Sequence, residues 1–585
     1  MIRLALVAIG ILLAVAVVFG NVIGYAPVWD DELHLSHPLL GEMNLRSLWD
    51  AWRDSYEGLY IPVSYTFLGV LAALSDSLGL GRGDPAVLHA ASLALHVLNA
   101  VLVYRLLRLL STAEWPAFAA SLLFAIHPLQ VESAVWISEI RGLLAFSLGG
   151  LALLAALGDR KGNTTWVTGA AALLFALAVL AKPSAVVMPL FFVLIATLGL
   201  DWPARRALRS AAPFIILAVG LGAVTAVVQG FNAAVETPDV AVGLRPLVWM
   251  DALRFYLTKV LWPTGLTVSY GHTPALVLGS DAVWYSWLAP VMLASMAYLM
   301  RRRLPLVSLG IALFIVGTLP NSGLVPFTYQ HWSTVADRYL YWSMLGVALV
   351  FARLLTWLGA RVSLIVAATI LLMAAMQSAL IQVPTWKSDL SLWTRVVTVA
   401  PDQSSAWSNL GQYLPDPQAR WAAVDVALRL DPTNEKALNE QGLLLWRERG
   451  NLDGALQSFN NATAAAPWYR PARLNRAAAY HQLGRLTEAL AELDQLLAED
   501  HDDASALVNR GLVHIQRSDL EAASQDLQDA IAIDPDNGKA LEGLAIVALL
   551  RDDHARARQL VKRAAASGFE VQPGLSKALE TSGQE

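Results

Sequence analysis

The sequence predicts an all-α protein in two parts, a polytopic helical membrane region followed by a helical-repeat solenoid. Three observations predict it. Hydrophobic residues make up 56% of the chain and charged residues only 15%, a membrane protein's balance. That balance is uneven. Long apolar tracts fill residues 1–384, whereas residues 385–585 hold no run of the roughly 20 apolar residues that a bilayer crossing needs. From residue 400 onward, small residues and prolines recur at a nearly constant interval.

The first part reads as about eleven spans by that length criterion, allowing short ones. They lie near 1–24, 86–110, 114–128, 139–157, 165–181, 184–200, 211–230, 283–300, 304–320, 336–356 and 361–382. The N-terminal tract is expected to be a retained anchor, because no small-x-small cleavage pattern follows it. Alternate connections carry the basic residues: Arg105/Arg108, Arg160/Lys161, Arg205/Arg206/Arg209, Arg301-Arg302-Arg303 and Arg353/Arg361. The positive-inside rule places these in the cytoplasm. The intervening loops, and the C-terminal part after an odd number of spans, then face outward. The segment 61–80 is apolar but broken by Pro62, Ser64, Ser75 and Asp76, and reads as an amphipathic helix at the outer interface. Leu244–Trp262 reads the same way.

In the second part, Ala-Pro401, Asp431-Pro432, Ala-Pro467, Asp500-His501 and Asp534-Pro535 recur at intervals of 31, 35, 34 and 34. Inside the units, Gly450 precedes Ala455, Phe459 and Ala462, and Gly511 and Ala523 precede Ala530. This is the tetratricopeptide period, a helix pair in which small residues let two helices touch. The expected division is 1–384 membrane domain, 385–566 with four to five repeats, and 567–585 a loose tail. A concave repeat face would take an extended peptide or protein partner. Acidic residues outnumber basic ones beyond 385, which argues against nucleic acid as a partner. The chain has no cysteine, which excludes disulfides and thiolate metal sites. Asn163-Thr164-Thr165 and Asn461-Ala462-Thr463 fit a glycosylation pattern, a short match common by chance.

Charged residues at membrane depth are functional candidates, because burial there costs several kcal/mol unless they pair or line a wet cavity. By topology, Asp30, Asp31, Glu132, Lys182, Asp337 and Arg338 all fall at the outer face, where chance would scatter them between two sides. Glu139 and Arg141 interrupt the tract after Glu132. Arg254, Tyr256 and Lys259 lie on the outer amphipathic segment. Paired carboxylates can hold a metal or take a proton from a hydroxyl, and a solvated acidic loop is the bland equivalent. Lys182 can hold a phosphate or simply snorkel. Asp337-Arg338 reads equally well as an internal ion pair. Together, carboxylates, cations and an interfacial helix suit a lipid-linked phosphate substrate whose tail stays in the bilayer.

These residues stand in a series of motifs: Trp29-Asp30-Asp31, Tyr60-Ile61-Pro62, His89 with His96-Val97-Leu98-Asn99-Ala100, and His127-Pro128-Leu129-Gln130-Val131-Glu132. Leu180-Ala181-Lys182-Pro183, Asp201-Trp202-Pro203, Tyr256-Leu257-Thr258-Lys259 and Ala336-Asp337-Arg338-Tyr339-Leu340-Tyr341 follow. In this order, with the repeats behind them, the chain resembles a bacterial relative of the transmembrane and tetratricopeptide-repeat O-mannosyltransferases, within the GT-C glycosyltransferase superfamily. The resemblance implies an inverting membrane glycosyltransferase. It would move a sugar from a polyprenyl-phosphate donor to a hydroxyl of a protein or glycan on the extracytoplasmic face. Asp31 is the implied base, Asp30 the second choice, and Glu132 matches the acidic position of the second motif. Lys182 matches a cation near the donor phosphate, with Glu139, Arg141, Arg254, Lys259, Asp337 and Arg338 as further substrate-binding candidates. The lipid-linked donor is a substrate; the resemblance implies no definite cofactor, and a divalent metal is compatible with the acidic pair but not required. The implied location is a bacterial inner membrane with the repeats in the periplasm, or the endoplasmic reticulum in a eukaryote. The chain departs from its relatives where they carry Arg and Asp, having Ile140 and Gly142 instead, with Glu139 and Arg141 beside those places. A repeat scaffold with an inactive core is the rival implied by that departure. A lipid-linked polysaccharide ligase or polymerase using Arg254, His272 and His331 is the other.

Overall fold

A computed structural model describes residues 2–158, 165–229 and 240–581. Arg160, Lys161, Asn163 and Thr164 lie outside the described residues, so the second basic loop and the first glycosylation pattern have no structural account. Among the described residues the chain is helical, with no strand beyond an isolated bridge between Tyr56 and Leu59. It divides into two compact units, Met1–Pro401 and Asp402–Glu585.

In the first unit, helices stand at each of the eleven expected places. Six segments are long and apolar enough to cross a membrane: Ile2–Gly24, Pro85–Leu109, Ile137–Gly158, Ala204–Val228, Asp281–Met300 and Ala360–Thr385. Glu114–Ile126 with Pro128–Val135 makes a seventh if that pair, bent by 54°, is one span. The bend falls at His127-Pro128, where a prolyl ring cannot continue the helix behind it. The remaining apolar helices are shorter, Val167–Ala181, Pro183–Gly199, Pro305–Asn321 and Met344–Trp357. Pro62–Ser77 is not among the crossing candidates; it buries Tyr65, Leu68, Ala72 and Ser75 against neighbouring helices.

Close approaches and buried polar groups knit these helices. Pro305–Gly317 and Met344–Trp357 cross at facing glycines: a Cβ on Gly310 would lie 2.7 Å from Val350 Cγ2 and 2.8 Å from the Gly346 carbonyl. Two of the sequence motifs meet in a second knot. His96 Nδ1 lies 2.9 Å from the Tyr341 hydroxyl and its Nε2 lies 2.7 Å from the Ala125 carbonyl. Asn99 donates to Tyr341 Oη at 3.1 Å and to the Leu143 carbonyl at 3.0 Å. A buried amide and imidazole are stable only when paired in this way. These motif residues therefore fix helix register.

The second unit is a run of five helix pairs, from Ser404–Tyr413 with Pro417–Leu430 to Gly538–Leu550 with His554–Ala566. Side chains of Asn434, Asn451, Asp503, Asp519, Asn537 and Asp553 accept the backbone N–H three residues on. Each such cap is worth about 1 kcal/mol. Small residues sit at the helix crossings as expected: a Cβ on Gly511 would lie 2.8 Å from Leu527 Cγ. The expected loose tail instead contains a helix, Pro573–Thr581. Leu575 and Leu579, one turn apart, are buried with Ala545, Ala548 and Ala557 and cover the last pair. A solenoid's terminal repeat needs such a cover for its apolar face.

Candidate functional site

The first carboxylate loop is set by Trp29. Its φ is 60°, a left-handed conformation uncommon for a large side chain. Two contacts support it. The Trp29 N–H donates to Asp389 Oδ1 at 2.8 Å, and its ring stacks on Trp136 at 4.8 Å. The turn delivers Asp30 and Asp31 to different surroundings. Asp31 is 1% exposed. Its Oδ1 accepts from the Ser138 N–H at 2.8 Å and hydroxyl at 2.6 Å, and its Oδ2 accepts from the Val28 N–H at 3.0 Å. Burial pushes this carboxyl up to about 7, against the pull of the Ser138 and Val28 donors. Asp31, ranked first as base from the sequence, thus has both oxygens engaged by the fold.

Asp30 keeps 29% of its side chain accessible. Its Oδ1 has no hydrogen-bond partner among the described residues, and its Oδ2 lies 3.7 Å from His34 Nε2. Burial works to raise its pKa, but His34, Arg141 and Arg338 outweigh it and hold the carboxyl below the usual value. His34 is in turn held by the Tyr65 hydroxyl at 3.1 Å.

Glu132 and Arg338 form a buried pair. The guanidinium Nη1 contacts Glu132 Oε1, and the Arg338 backbone N–H donates to Oε2 at 3.2 Å. Aromatic rings enclose the cation, Tyr329 at 4.4 Å, Tyr339 at 4.8 Å and Trp136 at 5.2 Å. The ring faces and the carboxylate replace the water that a buried guanidinium loses. Asp337 points elsewhere and accepts from the Tyr270 hydroxyl at 2.7 Å. Lys259 lies on the face of Tyr270, 5.4 Å from the ring centre, and donates to the Thr264 carbonyl at 2.7 Å.

Lys182 Nζ contacts Glu139 Oε1 directly. Arg141 Nε lies 3.7 Å from Glu139 Oε2, and Arg141 Nη1 lies 3.4 Å from His34 Nε2. A continuous line of polar side chains therefore runs from Lys182 through Glu139, Arg141 and His34 to Asp30. A small void is bounded by Glu139, Gly142, Lys182, Arg338, Tyr339 and their neighbours. It joins the Lys182 group to the Arg338 group.

Arg254 is not in this assembly. It donates to Asp251 Oδ1 from Nε at 3.0 Å and Nη2 at 2.7 Å. Ser286 and His272 share that carboxylate. Burial would raise the Asp251 pKa, but these donors hold it far below the usual range. An apolar cavity of about 650 Å³ opens among Leu123, Phe314, Val347 and Met373, with His127 and Gln377 as polar lining. No group of three or more metal-ligating side chains forms among the described residues.

Sequence reasoning missed Ser138, Tyr65 and His34, and named Gly142 only as a departure without its steric role. Only His34 carries a local signal, one helical turn after Asp30. Gly142 is legible in hindsight: a Cβ there would strike Glu139 Oε1 and lie 3.1 Å from Lys182 Nζ. An Asp side chain at this place would be incompatible with the Glu139–Lys182 pair.

Residues 447–509 and 508–570 each match a tetratricopeptide-repeat family. A protein O-mannosyl-transferase of Caenorhabditis elegans is 24% identical over 341 residues, 55% of this chain and 46% of that protein. The match spans about half the length of that relative. Among solved structures, MamA from Desulfovibrio magneticus RS-1 is similar at 20% identity, covering 28% of this chain and 94% of its own, with a TM-score of 0.25. A tetratricopeptide-repeat protein of Thermus thermophilus is similar at 20% identity, covering 30% and 97%, with a TM-score of 0.27. The chain is thus an all-helical protein with several membrane-crossing candidates, tetratricopeptide repeats at its C-terminal end and a distant likeness to an O-mannosyl-transferase.

Proposed function

We propose that the chain is a membrane glycosyltransferase of the GT-C type with about eleven spans. It transfers a sugar from a polyprenyl-phosphate donor to a hydroxyl of a protein or glycan at the extracytoplasmic face. The observation that carries this reading is the line from Lys182 to Asp30, which joins two cations, Lys182 and Arg141, bridged by Glu139, to a partly accessible carboxylate. In the reaction, the acceptor oxygen bonds to the anomeric carbon as the bond from that carbon to the phosphate oxygen breaks. The hydroxyl proton passes to a carboxylate, the anomeric configuration inverts, and the lipid phosphate departs with the bonding electrons. Cations at the departing phosphate stabilise the charge that develops there.

Asp30 is the base in this proposal. It keeps access through Oδ2 while its buried Oδ1 accepts no hydrogen bond among the described residues, whereas Asp31 shapes the loop. Lys182 and Arg141 attract the phosphate, and Arg338, neutralised by Glu132, supports the wall between them. Lys259 and Asp337 order the neighbouring loop, and Arg254 orders the outer helix through Asp251. The apolar cavity can accommodate part of an isoprenoid tail. The repeats position a protein acceptor or partner in the same compartment.

The test is transfer of radiolabelled sugar from a panel of polyprenyl-phosphate sugars, with purified protein and cognate membrane extract. Transfer by wild type, lost in Asp30→Asn with the melting temperature unchanged, is the expected result. Full activity in Asp30→Asn would sink the base assignment. No transfer from any donor by folded wild type would sink the enzyme reading.

A further inference from the structure

Each cation of the site already faces a carboxylate. Lys182 contacts Glu139, Arg338 contacts Glu132, and Arg141 lies 3.7 Å from Glu139. An incoming phosphate must therefore compete with an internal anion.

The two carboxylates are not held equally. Glu132 has both oxygens on Arg338, one on the guanidinium and one on the backbone N–H. Glu139 has its Oε1 on Lys182, while its Oε2 is buried and accepts no hydrogen bond among the described residues. A buried acceptor without a donor is destabilising. Arg141 Nε stands on that Oε2 side, so the carboxylate lies between two cations as a bridging anion. The cations keep some access, 16% for Lys182 and 15% for Arg141, against 1% for Glu139. The adjoining void is about 10 Å³, room for no more than about one water.

We propose that Glu139 is an internal stand-in for the phosphate of an anionic lipid substrate. Arrival of that phosphate on Lys182 displaces the carboxylate toward Arg141. The swing is short and leaves neither Glu139 nor Lys182 bare, which matters because an unpaired buried charge is strongly destabilising. It also enlarges the void on the side shared by Lys182 and Arg338. Because Arg141 touches His34, the displacement reaches the loop that carries Asp30. Gly142 is the enabling residue, since any side chain there would occupy the carboxylate's resting place. No covalent step is involved. The inference rests on the lipid-phosphate reading above and specifies how its anion site is guarded.

The experiment measures binding of undecaprenyl phosphate to the full chain in nanodiscs, and of inorganic phosphate in solution as the free-anion arm. Glu139→Gln removes the competing charge, and Gly142→Ala pushes the carboxylate off Lys182 by contact. Each is expected to tighten binding roughly fivefold or more, and Lys182→Gln to weaken it by at least as much. Tightening for the lipid phosphate alone identifies a headgroup site, and tightening for both identifies a general phosphate site; either supports the inference. Either variant serves should the other fail to fold. Wild-type binding that is unchanged or weakened in both overturns the stand-in role while the lipid-phosphate reading survives. No binding by wild type or by either variant overturns the reading itself and this inference with it.

Discussion

Asp30 and Asp31 are chemically alike and adjacent, yet only one of them has a free oxygen. Three donors hold Asp31, and an Asn there would turn its amide N–H toward either Val28 or Ser138, facing donor with donor. Such a mismatch costs about 1–3 kcal/mol, so Asp31→Asn is expected to lower the melting temperature where Asp30→Asn does not. The pH dependence has a definite sign. The folded carboxyl of Asp31 is pushed up to about 7, above its unfolded value near 4. Its contribution to stability is therefore fully present below pH about 4 and is lost as pH rises through about 7. The stability gap between wild type and Asp31→Asn should narrow between about pH 4 and 7, followed by thermal unfolding in detergent. A gap that is constant or widens with pH would show that Asp31 is not held in this way. The charged members of the site were legible in the sequence because a charge in an apolar tract is conspicuous. Ser138 and Tyr65 were not, since a serine or a tyrosine in such a tract is ordinary, and the steric part played by Gly142 was not. Their roles exist only once residues far apart in sequence meet.

Helix positions could be read from apolar runs, but helix lengths could not. Hydropathy records that residues 183–200 are apolar. It does not record that Pro183–Val187 and Ile195–Gly199 leave only Met188–Leu194 as regular α-helix. The same limit hid the cover helix Pro573–Thr581, which has too few apolar residues to form a periodic signal. The repeats were legible because packing at every helix crossing demands a small residue at a fixed spacing. The same demand operates in the first unit without a period to reveal it. A Cβ on Gly346 would strike the Gly310 carbonyl and lie 2.7 Å from the Phe314 nitrogen, both backbone atoms that cannot rotate away. Gly346→Val is therefore expected to pry Met344–Trp357 from Pro305–Gly317. Overpacking of this kind costs about 1–3 kcal/mol. The measurement is the melting temperature of purified protein in detergent against Gly220→Val, whose added atoms meet open space. Equal melting temperatures would mean that the two helices do not cross at these glycines.

At the scale of the whole molecule, the functional reading depends on sidedness. The carboxylate loop and the Lys182 break must open on the same side of the membrane as the repeats if these are to present an acceptor. The basic loops predict that side, because Lys and Arg flanking short loops are retained in the cytoplasm. The absence of cysteine from the chain makes the prediction directly measurable, since every introduced thiol is the sole one. Exposed positions suit the purpose: Asp54 in the first loop, Arg205 and Arg302 in two basic connections, and Asp536 in the repeats. In intact cells or right-side-out vesicles, a membrane-impermeant maleimide should label Asp54→Cys and Asp536→Cys at once. It should label Arg205→Cys and Arg302→Cys only after the membrane is opened. The expected contrast is near-complete, because a sulfonated reagent crosses an apolar core of about 30 Å very slowly. Labelling of Asp54 and Asp536 from opposite sides would make the number of crossings between them odd. That result would separate the repeats from the carboxylates and leave them no part in presenting an acceptor. Labelling of Arg302 from outside, with Asp54 also outside, would mean that Pro62–Ser77 or another short helix crosses as well. The Lys182 break would then have to be placed afresh relative to Asp30.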